Sequence, residues 1–232
     1  LRSSTARQRL VVTDAVFSMD GDIAPLAALL ALCERHDALL VIDDAHGIGV
    51  LGPEGRGSVH ALGLQSDCIV YMGTLGKAAG LSGAFVAADQ LIIDRLIQRG
   101  RPYVFSTASL PALAHATLTA LELVRSADAE RRQLERHRER LREFAPAWQP
   151  FRLLASAMPI QPLVVGDNAT VVRIAEALLQ EGLWVPAIRP PTVPAGSARL
   201  RITLSGAHTN EDIGRLGTAL SHIISRAGTL PT

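Results

Sequence analysis

Lysine is almost missing from this chain of 232 residues: of its 23 basic side chains, Lys77 alone is a lysine and the rest are arginines. Cysteine is nearly as scarce. Cys33 and Cys68 are too few for a disulfide framework, so a reducing, cytoplasmic setting is expected. Charge of one sign is lacking too, since 22 acidic residues leave a formal charge of +1, which gives no electrostatic reason to expect nucleic acid or an anionic membrane surface as partner. No apolar run approaches the roughly 18 residues that a membrane helix requires, and the first residues lack a signal-peptide pattern. Internal repeats and low-complexity tracts are also missing, and no metal is expected.

What is present is a core-forming composition, 48% hydrophobic, at a length that suits one large domain or a large and a small one. Short β-rich apolar runs alternate with segments of helical period, the pattern of an α/β fold with a mostly parallel sheet. Strands are expected at Leu10–Thr13, Ala38–Ile42, Cys68–Met72, Gly83–Ala87 and Tyr103–Phe105. Helices are expected at Pro25–His36, Asp89–Gln98 and from Pro111 to about Val124, the last one open to continuation as far as Phe144. The densely charged stretch Glu130–Glu143 sets arginines and glutamates at helical spacing, which predicts paired charges on a solvated helix face. Prolines 146, 150 and 159 then mark a boundary, giving a large domain over residues 1–145 and a small α+β domain over 146–232. In the latter, strands are expected at Pro162–Val165, Leu183–Pro186 and Leu200–Thr203 and helices at Val171–Glu181 and Glu211–Ser225, the last capped by Thr209 with Asp212.

Three loops carry chemistry. The buried run Ala38–Ile42 ends in Asp43-Asp44-Ala45-His46-Gly47, at the strand end where open α/β sheets place ligands. Neighbouring residues on a strand point to opposite faces, so only one of Asp43 and Asp44 can serve a given crevice, and the other is structural. Alone, Asp43 and His46 read equally as functional or as loop-capping. Gly47-Ile48-Gly49-Val50-Leu51-Gly52 matches a dinucleotide fingerprint by letter, but the following Pro53-Glu54-Gly55-Arg56-Gly57 is a poor helix start. Gly76-Lys77 lacks the preceding glycine and following Ser or Thr of an NTP-binding loop. There remains one lysine in a small-residue loop, with Thr74 just before it. An aspartate and a histidine after one strand and a lysine after a later one meet a specific demand: pyridoxal phosphate needs a lysine for its aldehyde, a carboxylate for its ring nitrogen and donors for its phosphate.

The same residues carry a resemblance. Val16-Phe17-Ser18-Met19-Asp20-Gly21-Asp22, Ile42-Asp43-Asp44-Ala45-His46-Gly47, Thr74-Leu75-Gly76-Lys77, Phe105-Ser106-Thr107-Ala108 and Ile188-Arg189-Pro190-Pro191-Thr192-Val193-Pro194 resemble, in order, the α-oxoamine synthases, pyridoxal-phosphate enzymes of fold type I. The resemblance implies the aspartate-aminotransferase-like fold, with Lys77 as the Schiff-base lysine and α-proton acceptor. It implies Asp43 on the pyridinium nitrogen and His46 on the ring oxygen, with Ser18 also touching the cofactor and Thr74 its phosphate. Ser106 and Thr107 would reach the phosphate held by a neighbouring subunit, which implies a homodimer. Arg201 would bind the substrate carboxylate, with Arg189 and Thr192 as further substrate contacts, while Arg199 reads as a surface salt-bridge residue.

The implied reaction is a decarboxylative condensation of L-alanine with a pimeloyl thioester, on coenzyme A or acyl carrier protein, giving an amino-ketone on the way to biotin. Glycine with an acetyl thioester is the nearest alternative. A nucleotide-dependent oxidoreductase and a catalytically silent partner stand further off. Members of the family begin with a long region that is not in this sequence, and the opening at Leu1 without Met leads to the expectation of a piece of a longer chain.

Overall fold

The apolar run after Ala38 forms the inner strand of a sheet in the computed structural model, which describes residues 1–227. Strand β1 (Leu10–Asp14) leads through helix α1 (Leu26–Arg35) to β2 (Leu39–Asp43), and a short helix α2 (Ser58–Ala61) precedes β3 (Ile69–Thr74). β2 lies between β1 and β3 and is parallel to both, whereas β4 (Ala84–Ala87) adds antiparallel to β3. Residues 75–83 are too few for the crossover that a parallel neighbour requires, so the sheet is mostly but not wholly parallel. Leu40 and Ile42 are fully buried, and Leu26, Leu30 and Cys33 of α1 close over them.

Beyond the sheet come α3 (Gln90–Arg99), α4 (Arg101–Val104) and α5 (Pro111–Ser126). Asp89 caps α3 by accepting the Leu91 amide at 2.9 Å. The strand expected at Tyr103–Phe105 is instead the end of α4. Pro102 stands in its first turn, where the fixed φ suits a helix and the missing N–H costs nothing, and this outweighs the β preference of Tyr-Val-Phe. The helix expected from Pro111 to about Val124 is α5; it does not continue to Phe144 but breaks at Ala127, and α6 (Asp128–Phe144) is a separate element.

By packing the chain divides into two compact units, Leu1–Phe17 with Ile23–Asp128, and Ser18–Asp22 with the residues from Ala129 on. The break lies at Asp128 rather than near residue 145, because α6 is not solvated all round. Its arginines do pair with glutamates, as Arg138 does with Glu135 at 3.3 Å. Its other side buries His137 and Leu141, with Leu134 and Phe144 packed on the second unit's core.

That unit continues through β5 (Arg152–Leu153), β6 (Ile160–Gly166), α7 (Asn168–Gln180), β7 (Ala187–Ile188), β8 (Ala198–Thr203) and α8 (Asn210–Ala227). Its antiparallel sheet has the order β5-β6-β8-β7. The strand expected at Leu183–Pro186 is displaced to β7: Pro186 has no N–H for the ladder and only its carbonyl takes part, accepting the Arg201 amide at 3.0 Å. Thr209 and Asp212 form the expected capping box, with Thr209 N–H donating to Asp212 at 2.8 Å and Asp212 N–H to Thr209 Oγ1 at 3.1 Å. Among the described residues no helix is long and apolar enough to cross a membrane. Leu200, fully buried on β8, sits at the centre of the core with Leu163, Ile174 and Leu220. Leu200→Ala should lower the unfolding free energy by about 2–5 kcal/mol in denaturant titrations, and a loss under about 1 kcal/mol would contradict this placement.

Candidate active site

Because β2 and β3 run parallel, with Asp43 opposite Met72, their carboxyl ends open on the same edge of the sheet. Asp43 ends β2 and accepts the Ala45 N–H through Oδ1 at 2.9 Å, which turns the chain sharply. Gly47 and Ile48 N–H groups return to the Asp44 carbonyl at 3.0 and 3.1 Å, and His46 rides on this turn. β3 ends at Thr74, and the loop after it is closed by Leu75 N–H to the Gly83 carbonyl (2.9 Å) and Gly80 N–H to the Lys77 carbonyl (3.0 Å). This loop brings Lys77 Nζ to 2.9 Å from His46 Nε2. Through Oδ2, Asp43 has no hydrogen-bond partner among the described residues, so it keeps an acceptor for an incoming N–H.

Asp44 points the other way and is fully buried. Its Oδ2 accepts the Ser58 amide and the Tyr71 hydroxyl, both at 2.7 Å, and its own amide donates to the Met72 carbonyl at 2.9 Å. The structural partner in the Asp43–Asp44 pair is therefore Asp44. It ties the His46 turn to β3, the strand that leads into Lys77. Burial pushes its carboxyl pKa up, and burial together with Asp44 raises that of the Tyr71 phenol. A Cβ at Gly47 would lie 2.0 Å from Asp44 Oδ1, and one at Gly57, where φ is +93°, would lie 2.3 Å from Oδ2. The glycines that imitate a dinucleotide fingerprint thus answer to packing. Gly49 and Gly52 have φ of +80° and +75°, and a short 3-10 turn at Pro53–Gly55 follows in place of an anion-binding helix start.

The other expected residues fall into separate places. Ser106 and Thr107 follow α4 and are exposed, the Ser106 hydroxyl donating to the Pro102 carbonyl. In the second unit Arg189 follows β7 and is joined to Thr192 by a 3.1 Å turn hydrogen bond, and both side chains are exposed. Arg201 Nε donates to the Ser18 carbonyl at 2.6 Å, so Ser18 and Arg201 meet through the serine's backbone. Burial holds the Arg201 pKa below the ordinary arginine value. Arg199 corrects the sequence reading: it is buried and ion-paired with Asp20. Among the described residues no cluster of His, Cys, Asp and Glu could hold a metal ion.

Residues 1–220 match the family model for aminotransferase class I and II. The chain is 53% identical over 229 residues to the 8-amino-7-oxononanoate synthase of Janthinobacterium sp. (strain Marseille), covering 96% of this chain and 57% of the relative. It is 56% identical over 225 residues to that of Aromatoleum aromaticum, covering 96% of this chain and 58% of the relative. The chain thus spans a little over half the length of these relatives. Among solved structures, the serine palmitoyltransferase of S. paucimobilis with a bound PLP-myriocin aldimine superposes with a TM-score of 0.90 at 30% identity, over 99% of this chain and 58% of that one. The 8-amino-7-oxononanoate synthase of Francisella tularensis superposes with a TM-score of 0.83 at 27% identity, over 95% of this chain and 64% of that one. The fold is that of the fold-type I pyridoxal-phosphate enzymes, the α/β class expected from the alternating runs.

The Asp44 anchor has a pH signature. Its folded-state pKa lies above the unfolded one, so its contribution is greatest at low pH and declines as pH rises through the folded value. Wild type should gain unfolding free energy relative to Asp44→Asn as pH falls from neutrality toward about 4, and a gain in the opposite direction in paired denaturant titrations would contradict the assignment. With the model match over residues 1–220 and the two relatives above 50% identity, the chain belongs to the aminotransferase class I and II family.

Proposed function

We propose that this chain is the greater part of a pyridoxal-phosphate-dependent acyltransferase that condenses L-alanine with a pimeloyl thioester to give 8-amino-7-oxononanoate. The observation that carries the reading is the approach of the single lysine, Lys77, to 2.9 Å from His46, beside an Asp43 with one carboxylate oxygen still available. This donor set fits the cofactor: an amine for its aldehyde, a carboxylate for its ring N–H, a histidine for its ring oxygen and Thr74 at the end of β3 for its phosphate. When bound, pyridoxal phosphate supplies an electron sink for the pair left behind when the α-proton departs.

In this reading Lys77 Nζ would remove the alanine α-proton and later return a proton to the product. Arg201 holds the alanine carboxylate through a planar pair of hydrogen bonds, with Arg189 and Thr192 as further substrate contacts. A carbon–carbon bond forms between the alanine α-carbon and the thioester carbonyl, the thiol leaves, and carbon dioxide is lost before reprotonation. Glycine with an acetyl thioester remains the alternative within the family.

A homodimer is part of the proposal. Tyr103, Phe105 and Leu110 are 70%, 76% and 73% exposed around Ser106 and Thr107, an apolar strip that a second copy would cover while receiving those hydroxyls. The free thiols of Cys33 and Cys68 fit a reducing cytoplasm.

Adding pyridoxal phosphate to the full-length protein should give an absorbance band near about 420 nm that Lys77→Ala abolishes, and no band in the wild type overturns the reading. Asp43→Asn should retain cofactor yet lose at least about a hundredfold in turnover, because a neutral ring nitrogen is a poor sink. Product assays with alanine and glycine, each with pimeloyl and acetyl thioesters, decide the substrate: alanine with pimeloyl is expected, and preference for glycine with acetyl would select the alternative.

A further inference from the structure

Ser18–Asp22 packs with the second unit although the residues on either side of it belong to the first. What holds it there is a set of hydrogen bonds to β8 and its surroundings. Arg199 is only 4% exposed, and its guanidinium serves Asp20 in an ion pair, the Met19 carbonyl at 3.2 Å, and the Ser197 carbonyl and hydroxyl at 3.0 and 3.2 Å. On the same face of the strand, Arg201 Nε donates to the Ser18 carbonyl at 2.6 Å and one Nη to Thr203 Oγ1 at 3.1 Å. Ser156 Oγ donates to the Gly21 carbonyl at 2.8 Å. Gly21 has φ of +68°, and a Cβ there would lie 2.4 Å from Ser156 Oγ and 2.7 Å from the Ile160 carbonyl oxygen, so the bend admits only glycine.

The two arginines differ in one respect. A guanidinium removed from water needs a compensating carboxylate, and Arg199 has one in Asp20. Among the described residues Arg201 has none, although it too is partly withdrawn from solvent. Its Nε is committed to Ser18 and one Nη donates to Thr203, which fixes the plane of the fork and leaves its remaining Nη hydrogens for a carboxylate supplied from outside. The Ser18 carbonyl can orient that fork only if its own segment is held, and the Arg199–Asp20 pair holds it.

We infer that Asp20 and Arg199 are positioning residues for amino-acid binding, acting through the Ser18 carbonyl on the guanidinium of Arg201. The inference rests on the reading of Arg201 as the ligand of the substrate carboxylate, and it identifies the strap that makes that arginine selective for an amino acid over a simple amine.

The test uses the full-length protein loaded with pyridoxal phosphate, titrated with L-alanine and separately with ethylamine, which is alanine without its carboxylate, while the cofactor absorbance is followed. Asp20→Asn should weaken alanine about tenfold or more and leave ethylamine unchanged, with the lysine-bound cofactor band intact. Asp20→Glu, which keeps the charge but displaces it by one methylene, should show the same selective loss to a smaller degree. Equal weakening of both ligands by either variant means a general scaffold role and overturns the inference. Arg201→Lys separates the two claims. If it leaves alanine binding unchanged, the reading of Arg201 fails. If it weakens alanine while both Asp20 variants bind alanine normally, only the positioning inference fails.

Discussion

The parallel pairing of β2 with β3 is the constraint on which the candidate site depends. Parallel neighbours deliver their carboxyl ends to one edge, so the residues after Asp43 and those after Thr74 meet there whatever their distance along the chain. Thirty-one positions separate His46 from Lys77, yet their side-chain nitrogens are 2.9 Å apart. An antiparallel arrangement of the same two strands would send these turns to opposite edges of the sheet and leave Lys77 without its neighbours. The run Leu39–Ile42, apolar on both faces with Leu40 and Ile42 fully buried and Leu39 and Val41 half-buried, is the sequence feature that secures the pairing, because such a run requires covered neighbours.

A second regularity concerns paired like residues with divided roles. Asp43 and Asp44 are adjacent, yet Asp43 keeps Oδ2 without a partner among the described residues, while Asp44 is buried and takes the Ser58 amide and the Tyr71 hydroxyl on its Oδ2. Arg199 and Arg201 are two apart and share a face. Here too the division comes from partners: one guanidinium has a carboxylate and the other a carbonyl. In both pairs the more deeply buried member fixes the backbone beside the member that is proposed to meet a ligand. Position in the sequence alone does not reveal which member is which.

Much of this is legible in the sequence. The order of strands and helices, the cap at Thr209 and the loops that carry His46 and Lys77 followed from apolar runs and loop residues, because those signals are local. The misplaced elements trace to particular competitions. Tyr103–Phe105 has strand-forming side chains, but Pro102 sets a helical turn. The shift of a strand from Leu183–Pro186 to β7 follows from one missing amide on Pro186. The helix expected to leave the first domain belongs instead to the second unit through His137 and Leu141, two residues among many charges. The burial of Arg199 depends on Asp20, 179 positions away, a distance at which no local pattern operates.

Lys77 is proposed as the residue that takes the cofactor aldehyde. Its most direct test is borohydride reduction of the full-length protein incubated with pyridoxal phosphate, followed by peptide mass mapping. A phosphopyridoxyl group is expected on the peptide that contains Lys77. Stoichiometric label on a different lysine, or none after reduction of the wild-type protein, would contradict it.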